Sequence, residues 1–592
     1  MILLSNDYER SFTGWIRVPI DDASNIPYFG TFDKAGFQYA MVRYGSRRWS
    51  LDIEAKMLPG ERKTLDLGSV TVRDPVAPQI PVNPVAHFGG PLAIDGVPMN
   101  VVSYEVNGAG VDIYCLLKHQ GVTWRAWLTW YPGDGHAIGE IAAIYSDPTK
   151  PDMASGASHR ITFGDSVCLM PGYGFRNQLV PEGDWLADGQ GRAVPVVFAW
   201  LRLGANLESV AALGDLRVNG NGYMSKGRDW LGRLPENFDA KAWARGLHGE
   251  GLRRLHSWDW ALIGPAAKSG VTGAQEEQGF TRGEPQHDPC AIAPIYAAAL
   301  KMAERPCHHC EADGTQLDAE AHNNPRLIYW DMRPHWHTGV SPERLGKTGD
   351  LNYDTTAHGR AGCDVEHWLI RTLAAGALYK HSRAAQYLLR QHGLNYLRQW
   401  TKEPGWSTSQ PYASRAMGWE AQSMVLFDEA LDDSVLRARL LTHWSDRMDF
   451  ITGPWIQGRK YWDIRVNDPR LGPGEWWMPW QQAVGSYWMD VAGERFGKKA
   501  LREACLHGAK VIVDEAWQEV APDMHWEPRP IASVLGGSPT DPSFTYYGMA
   551  LAPATVLRHE PTNERALRLW NYLVANARDA GAMKWLAPEV KP

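Results

Sequence analysis

The hydrophobic rhythm of the chain changes near residue 288. Before about residue 205, apolar residues come in short runs that mix β-branched, aromatic and polar types. Phe37–Arg43 (FQYAMVR), Val111–Leu117 (VDIYCLL) and Trp124–Trp130 (WRAWLTW) are examples. Runs of this length and composition predict strands. Turn formers separate them, as in Pro132-Gly133-Asp134-Gly135 and Asp147-Pro148, where the backbone is pre-set to bend or free to take positive φ. Pro75–Pro98 is proline-rich without a helical period and predicts an extended connection. Many short strands with frequent turns predict an antiparallel β-sandwich over residues 1–205. Residues 206–285, rich in Gly, Trp and Asn (Asn219-Gly220-Asn221-Gly222), read as a β-rich connection between domains.

From residue 286 to 592 the period becomes helical. Asp288-Pro289 followed by AIAPIYAAALKMAE places an acidic N-cap and a first-turn proline before an apolar helix. Four helix pairs come next. Their first members start near Glu366, Gly418, Trp476 and Ser543, and their second members run near Ala384–Trp400, Val435–Phe450, Lys498–Trp517 and Glu564–Asp579. The first members recur about every 50–70 residues, a loose internal repeat. Each is apolar almost all round with aromatics at its N-terminal end, whereas each second member carries charge on one side. Buried inner helices and half-wet outer ones predict an (α/α) toroid of helical hairpins. An α-solenoid would show tighter repeat lengths.

At 592 residues the chain exceeds what one core supports, so two or three domains are expected. Net charge is −7 and no basic block occurs, which sets nucleic-acid binding aside. Tryptophan is the outlier, with 28 residues. An indole offers a flat apolar face and one N–H, which suits sugar rings as well as a large helical core. The seven cysteines (Cys115, Cys168, Cys290, Cys307, Cys310, Cys363 and Cys505) are too sparse for a disulfide framework. The opening MILLSNDYERSFTGW lacks the apolar run and cleavage site of a signal peptide, and no stretch has the length of a membrane span. The expected location is cytoplasmic, or inside a particle assembled in the cytoplasm.

In a toroid the inner helices aim their N-termini at one mouth. Residues at those entries are His358, Arg360, Asp364, Glu366 and His367 from the first hairpin, and Arg415, Trp419 and Glu420 from the second. Trp476, Trp477, Trp480 and Gln481 come from the third, and Tyr546 and Tyr547 from the fourth. Buried charge is tolerated only when paired, so Arg and Glu at these places mean either a ligand site or a ring of salt bridges closing the toroid. Eight of the 20 histidines fall between His287 and His367. The densest segment holds Trp330, Arg333, His335 and His337, the two histidines sharing one face if extended. A near-neutral base beside a cation suits proton abstraction or anion binding, and a rigid packed loop is the other reading. Cys307-His308-His309-Cys310 has zinc-type ligands but lacks a second pair at a usual spacing, so no metal is expected. Glu276, Glu277 and Arg282 read as a solvated turn between domains. Without GxGxxG after a strand, a Walker loop or a GxSxG elbow in suitable context, no nucleotide cofactor or serine hydrolase is expected.

Asp364-x-Glu366-His367 opening one inner helix, Gly418-Trp419-Glu420 opening the next, and the order of sandwich then hairpins resemble the exo-rhamnogalacturonan lyase-like group among α/α-toroid polysaccharide lyases and glycoside hydrolases. The chain departs from that group in lacking a secretion signal and in its CHHC turn. The resemblance implies a carbohydrate-active protein. Cleavage of an acidic poly- or oligosaccharide by β-elimination needs a cation or amide at the uronate carboxylate and a base for the C5 proton. Arg333, Arg360 or Arg415 suits the first role, and His335, His358, His367, Tyr546 or Tyr547 the second. A glycoside hydrolase would instead need two carboxylates at a set separation, Glu366 with Glu420 or Asp364 with Asp331. A third reading is a structural or glycan-binding component of a bacteriophage virion, built on an enzyme-like fold and assembled as copies in a particle.

Overall fold

The computed structural model describes residues 2–6, 11–20, 26–32, 36–44, 48–71, 92–119, 122–145, 159–163, 167–169, 193–194, 198–204, 216–220, 370, 374, 377, 381–399, 414–452, 459–462, 464–466, 475–477, 479–521, 525–528 and 547–576. Antiparallel sheets occupy the N-terminal part and helices the C-terminal part.

The first strands are β1 (Ile2–Asn6), β2 (Phe12–Ile20), β3 (Phe29–Phe32), β4 (Phe37–Tyr44), β5 (Arg48–Met57), β6 (Arg62–Leu65) and β7 (Val70–Thr71). Five of them form a sheet in the order β2-β5-β4-β3-β7. Strand β5 is buried on both faces. Leu51, Ile53, Ala55 and Met57 point into one apolar core, while Ser50 and Asp52 alternate onto a polar face, as the two-residue side-chain period requires. The next strands are β8 (Leu92–Ile94), β9 (Val97–Pro98), β10 (Asn100–Asn107), β11 (Gly110–His119), β12 (Val122–Tyr131), β13 (His136–Tyr145), β14 (His159–Phe163), β15 (Val167–Leu169), β16 (Ala193–Val194), β17 (Phe198–Gly204) and β18 (Leu216–Gly220). They supply a six-stranded sheet β10-β11-β12-β13-β17-β15 and a four-stranded sheet β16-β14-β8-β9, while β18 pairs with β1. The segment expected as an extended connection therefore contains the β8–β9 hairpin, turned by Asp95 and Gly96 at φ 52° and 80°. A two-residue loop with both residues at positive φ matches the twist of the strands it joins.

The six-stranded sheet has two distinct faces. Val111, Ile113, Cys115 and Leu117 of β11 lie opposite Trp130, Leu128, Ala126 and Trp124 of β12. They share an apolar core with Leu92 and Ile94 of β8. The other face carries Asp112, Tyr114, Trp127, Thr129 and Glu140, and it meets both the polar face of β5 and the helices.

The helices are α1 (Arg383–Gln399), α2 (Ser414–Ala430), α3 (Ser434–Ile451), α4 (Pro479–Arg495), α5 (Lys499–Val511), α6 (Tyr547–His559) and α7 (Glu564–Asn576). Side-chain pairs fix their directions. Arg415 meets Trp480 near the starts of α2 and α4, and Arg495 meets Asp428 and Glu429 near their ends, so these helices run parallel. Asp490 and Glu494 of α4 bind Arg558 in the last turn of α6, so α6 runs the same way. Glu420 with Arg447, and Asp490 with Arg502, make α3 and α5 antiparallel to α2 and α4. The helix packing thus alternates a parallel row (α2, α4, α6) with returning partners. Of the segment expected as the first inner helix, Ile370, Ala374 and Ala377 are described, all buried, with the Ala374 N–H donating to the Ile370 carbonyl.

Three helix boundaries differ from the sequence reading, the first being α2, which starts at Ser414, four residues before Gly418. Glu475–Trp477 is not the start of the third inner helix but a strand, β20, paired with β19 (Ile464–Val466). The helix begins at Pro479, whose missing N–H and fixed φ suit the first helical position. The second member of that pair ends at Val511, followed by one wide π turn, Ile512–Ala516, before Trp517 opens β21 (Trp517–Ala521) against β22 (His525–Pro528).

Candidate functional site

Helices α2 and α4 approach until their backbones touch. A Cβ on Gly418 would lie 2.8 Å from the Val484 carbonyl oxygen, and one on Gly485 would lie 2.6 Å from that of Ser414. Only glycine allows this approach. It carries the Arg415 guanidinium over the Trp480 ring, 4.8 Å from its centroid, within cation–π range. Arg415 is 8% exposed and Trp480 half-buried. Gln481, the next residue along α4, is buried, and its Oε1 has no hydrogen-bond partner among the described residues. Trp419, one turn after Arg415, is buried with its indole Nε1 likewise unpartnered. The parallel helices bring the positive ends of their dipoles to this same end, which adds to Arg415 in favouring an anion. An aromatic face, a cation and buried amide and indole groups can together hold a ring that bears a carboxylate.

The other residues expected at the mouth divide into three groups. Glu420 is turned away: five positions after Arg415, it lies about 140° further round α2. It is fully buried, with Arg447 Nε donating to both its oxygens at 3.0 and 3.1 Å and the Tyr396 hydroxyl donating at 2.5 Å. Burial raises its carboxyl above the usual range, and Arg447 and Tyr396 offset part of that rise. Trp477 is also a packing residue, fully buried, its indole N–H donating to Gln482 Oε1 at 2.8 Å. That amide also accepts from Trp462 N and donates to the Gly508 carbonyl, so Gln482, not Gln481, ties α4 to its outer neighbours. Trp476 lies in β20 and Tyr547 is the first residue of α6. Trp330, Arg333, His335, His337, His358, Arg360, Glu366, His367 and Tyr546 lie outside the described residues, as do Asp331, Asp364, Cys307 and Cys310. Among the described residues no group of three His, Cys, Asp or Glu side chains could hold a metal, and Cys115 and Cys505 are buried free thiols.

A second polar cluster, not anticipated from sequence, joins the sheets to α1. Arg17 Nε and Nη2 donate to the two oxygens of Asp52 at 2.8 and 2.9 Å, and its Nη1 donates to Asp112 at 2.7 Å and Tyr44 at 2.5 Å. Arg383 reaches the same Asp112 at 3.3 Å. Burial alone would raise the Asp112 carboxyl, but Arg17, Arg383 and the Thr129 hydroxyl hold it below the usual carboxylate range. Glu140 accepts the Ala384 N–H at 3.0 Å, capping α1 from the sheet. Beside it His381, at φ 47°, places Nδ1 3.0 Å from the Ser50 hydroxyl. These residues come from β2, β4, β5, β11, β12, β13 and α1, so no spacing in sequence unites them. The buried alternation of Ser50 and Asp52 in β5 was the one local signal. Gln386 of α1 contacts Ala430 at the C-terminal end of α2. The cluster therefore lies at the opposite end of α2 from Arg415, about 25 Å away along a helix of 17 residues.

Comparison with protein-family models, with curated proteins and with solved structures finds no match to this chain.

Proposed function

We propose that the protein binds an acidic poly- or oligosaccharide at the N-terminal ends of α2 and α4 and cleaves it by β-elimination. The observation that carries this reading is the Arg415 guanidinium held over Trp480 beside Gln481. In the proposed complex Trp480 takes the C–H face of a sugar ring and Arg415 pairs with its carboxylate. Neutralising that carboxylate stabilises the negative charge that develops when C5 loses its proton. The electron pair left at C5 forms the C4–C5 double bond as the glycosidic oxygen leaves C4 and is protonated. The base belongs to the proposed set His335, His358, His367, Tyr546 and Tyr547. The parallel row of α2, α4 and α6 with antiparallel partners is what an (α/α) toroid requires, and the shared core of β8 with β11 and β12 is what a sandwich requires. Hydrolysis is the weaker reading, because Glu420 is sealed by Arg447 and Tyr396 and fully buried.

The test is incubation of the purified protein with uronate-bearing and neutral polysaccharides, following ultraviolet absorbance of unsaturated sugar and reducing ends together. Elimination raises both. Reducing ends alone mean hydrolysis. Silence across the panel, with binding retained, leaves the glycan-binding virion component.

A further inference from the structure

The core face of the six-stranded sheet does not stop where its cover stops. In the register of β10 with β11, Tyr104 lies opposite Ile113 and Val106 opposite Val111. Directly opposite residues of an antiparallel pair point to the same face. Ile113 and Val111 are fully buried, yet Tyr104 and Val106 are 49% and 53% exposed, and Val102 is 55% exposed. Val102 is the extra residue of a β-bulge between Val101 and Ser103. An apolar row thus runs off the covered sheet onto β10, its edge strand among the described residues.

The backbone of the same strand is poised to pair. Asn107 faces Gly110 across the two-residue turn Gly108-Ala109, with Gly108 at φ 74°. Such a turn is closed by a hydrogen-bonded pair. Alternation then gives the N–H and C=O groups of Asn107, Glu105 and Ser103 to β11, and points those of Val106 and Tyr104 outward. The residues with outward backbone groups are the ones with exposed apolar side chains.

We propose that β10 is a self-association edge, and that its occupant is β10 of a second copy of this chain. Antiparallel pairing about a two-fold axis through Tyr104 sets Tyr104 against Tyr104, and Val102 against Val106, on both sides of the axis. The outward backbone groups of the two Tyr104 residues then face each other, and every exposed apolar side chain faces an apolar one. The only charge on the strand, Glu105, falls opposite Ser103, so no like charges meet. The axis stands perpendicular to the sheet, so the core faces of both copies join on one side. An isologous contact of this kind closes on itself and does not propagate into fibres. One eight-residue strand per copy falls short of the roughly 1,200 Å² of a strong interface, so the dimer is concentration-dependent.

The experiment is sedimentation velocity of the full chain over a dilution series. The wild type moves from the 66.1 kDa monomer at low concentration towards twice that mass. Tyr104→Lys sets two like charges against each other at the axis, and Val106→Lys sets a charge against the apolar Val102; each weakens dimerisation at least about tenfold. Val435→Lys, at an exposed valine on α3, leaves it unchanged. Circular dichroism confirms that each variant keeps the wild-type fold, as expected for exposed positions. A wild type that stays monomeric throughout, or a dimer indifferent to both β10 substitutions, overturns the proposal. Neither result depends on any cleavage activity.

Discussion

Asp490→Asn is the substitution that tests the helix packing most directly. Asp490 is fully buried, yet its carboxylate accepts from Arg502 of α5 at 3.0 Å and from Arg558 and His559 of α6 at 2.8 and 2.7 Å. One side chain on α4 therefore holds a returning helix and the next parallel one. Asparagine keeps the shape but removes the charge, and it turns an N–H₂ group towards cationic donors. Breaking a buried ion pair by removing one partner costs about 3–5 kcal/mol. Glu494 still faces Arg558 and Arg502, which puts the expected loss near the low end, about 3 kcal/mol. For a helical unit of roughly 150–250 residues that is a fall in Tm of about 6–12 °C. The assay is thermal unfolding followed by the helical circular dichroism signal. Asp449→Asn serves as control, because Asp449 is 64% exposed in its pair with Lys498 and such pairs are worth less than about 1 kcal/mol. The sign with pH follows from the carboxyl itself. Burial would raise its pKa, but the His559 hydrogen bond and Arg558 hold it below the ordinary 3.8. Its contribution is therefore complete above the ordinary value and is lost as pH falls through the lowered native one. The gap between wild type and variant should be constant near neutrality and close in acid. A variant within about 2 °C of wild type at neutral pH would refute the reasoning.

Glu420→Gln leaves Arg447 charged and buried, so it should lower stability by about 3–5 kcal/mol in thermal unfolding. Turnover per folded molecule should be unchanged, and a selective loss of turnover would restore Glu420 as a catalytic acid. Gly418→Ala drives a methyl into the Val484 carbonyl at 2.8 Å and should cost about 1–3 kcal/mol. Because it also spreads α2 from α4, ligand binding should weaken along with stability. Arg415→Ala should weaken binding of an acidic oligosaccharide about 10–100-fold by calorimetry, and Arg415→Lys should not restore it, since an ammonium lacks the planar face that lies over Trp480. Binding of a neutral oligosaccharide should be nearly unaffected.

The strands were legible wherever alternation coincided with burial. Val111–Leu117 and Trp124–Trp130 fall inside β11 and β12, because one face of each is apolar at every second residue. The helix pairs were legible for the same reason at the helical period, and α1 and α3 fall within about two residues of their expected limits. Failures came where local chemistry opposed the pattern. Glu475-Trp476-Trp477 looks like an aromatic helix entry, but Pro479 sets the helix start three residues after Trp476 and frees the segment to pair with β19. Proline-rich flanks likewise hid the short β8–β9 hairpin.

The site was legible as a set of helix entries, but not in its geometry, and α2 shows why. Arg415 and Glu420 both belong to the opening of one inner helix, so listing entry residues puts them together. Five residues of α-helix separate them by about 140°. One meets Trp480 of the next parallel helix and the other Arg447 of the returning one. Membership of an entry therefore selects nothing by itself; rotation about the axis does. The residues next along the face of Arg415 are Trp419 and Gln422, four and seven positions on, and both are buried with an N–H group that has no partner among the described residues. Buried donors left open along one stripe are costly unless something accepts from them. In the proposed complex that acceptor would come from the acidic saccharide. On that proposal the buried stripe through Arg415, Trp419 and Gln422, and not the ring of entry residues, is where binding variants should be sought.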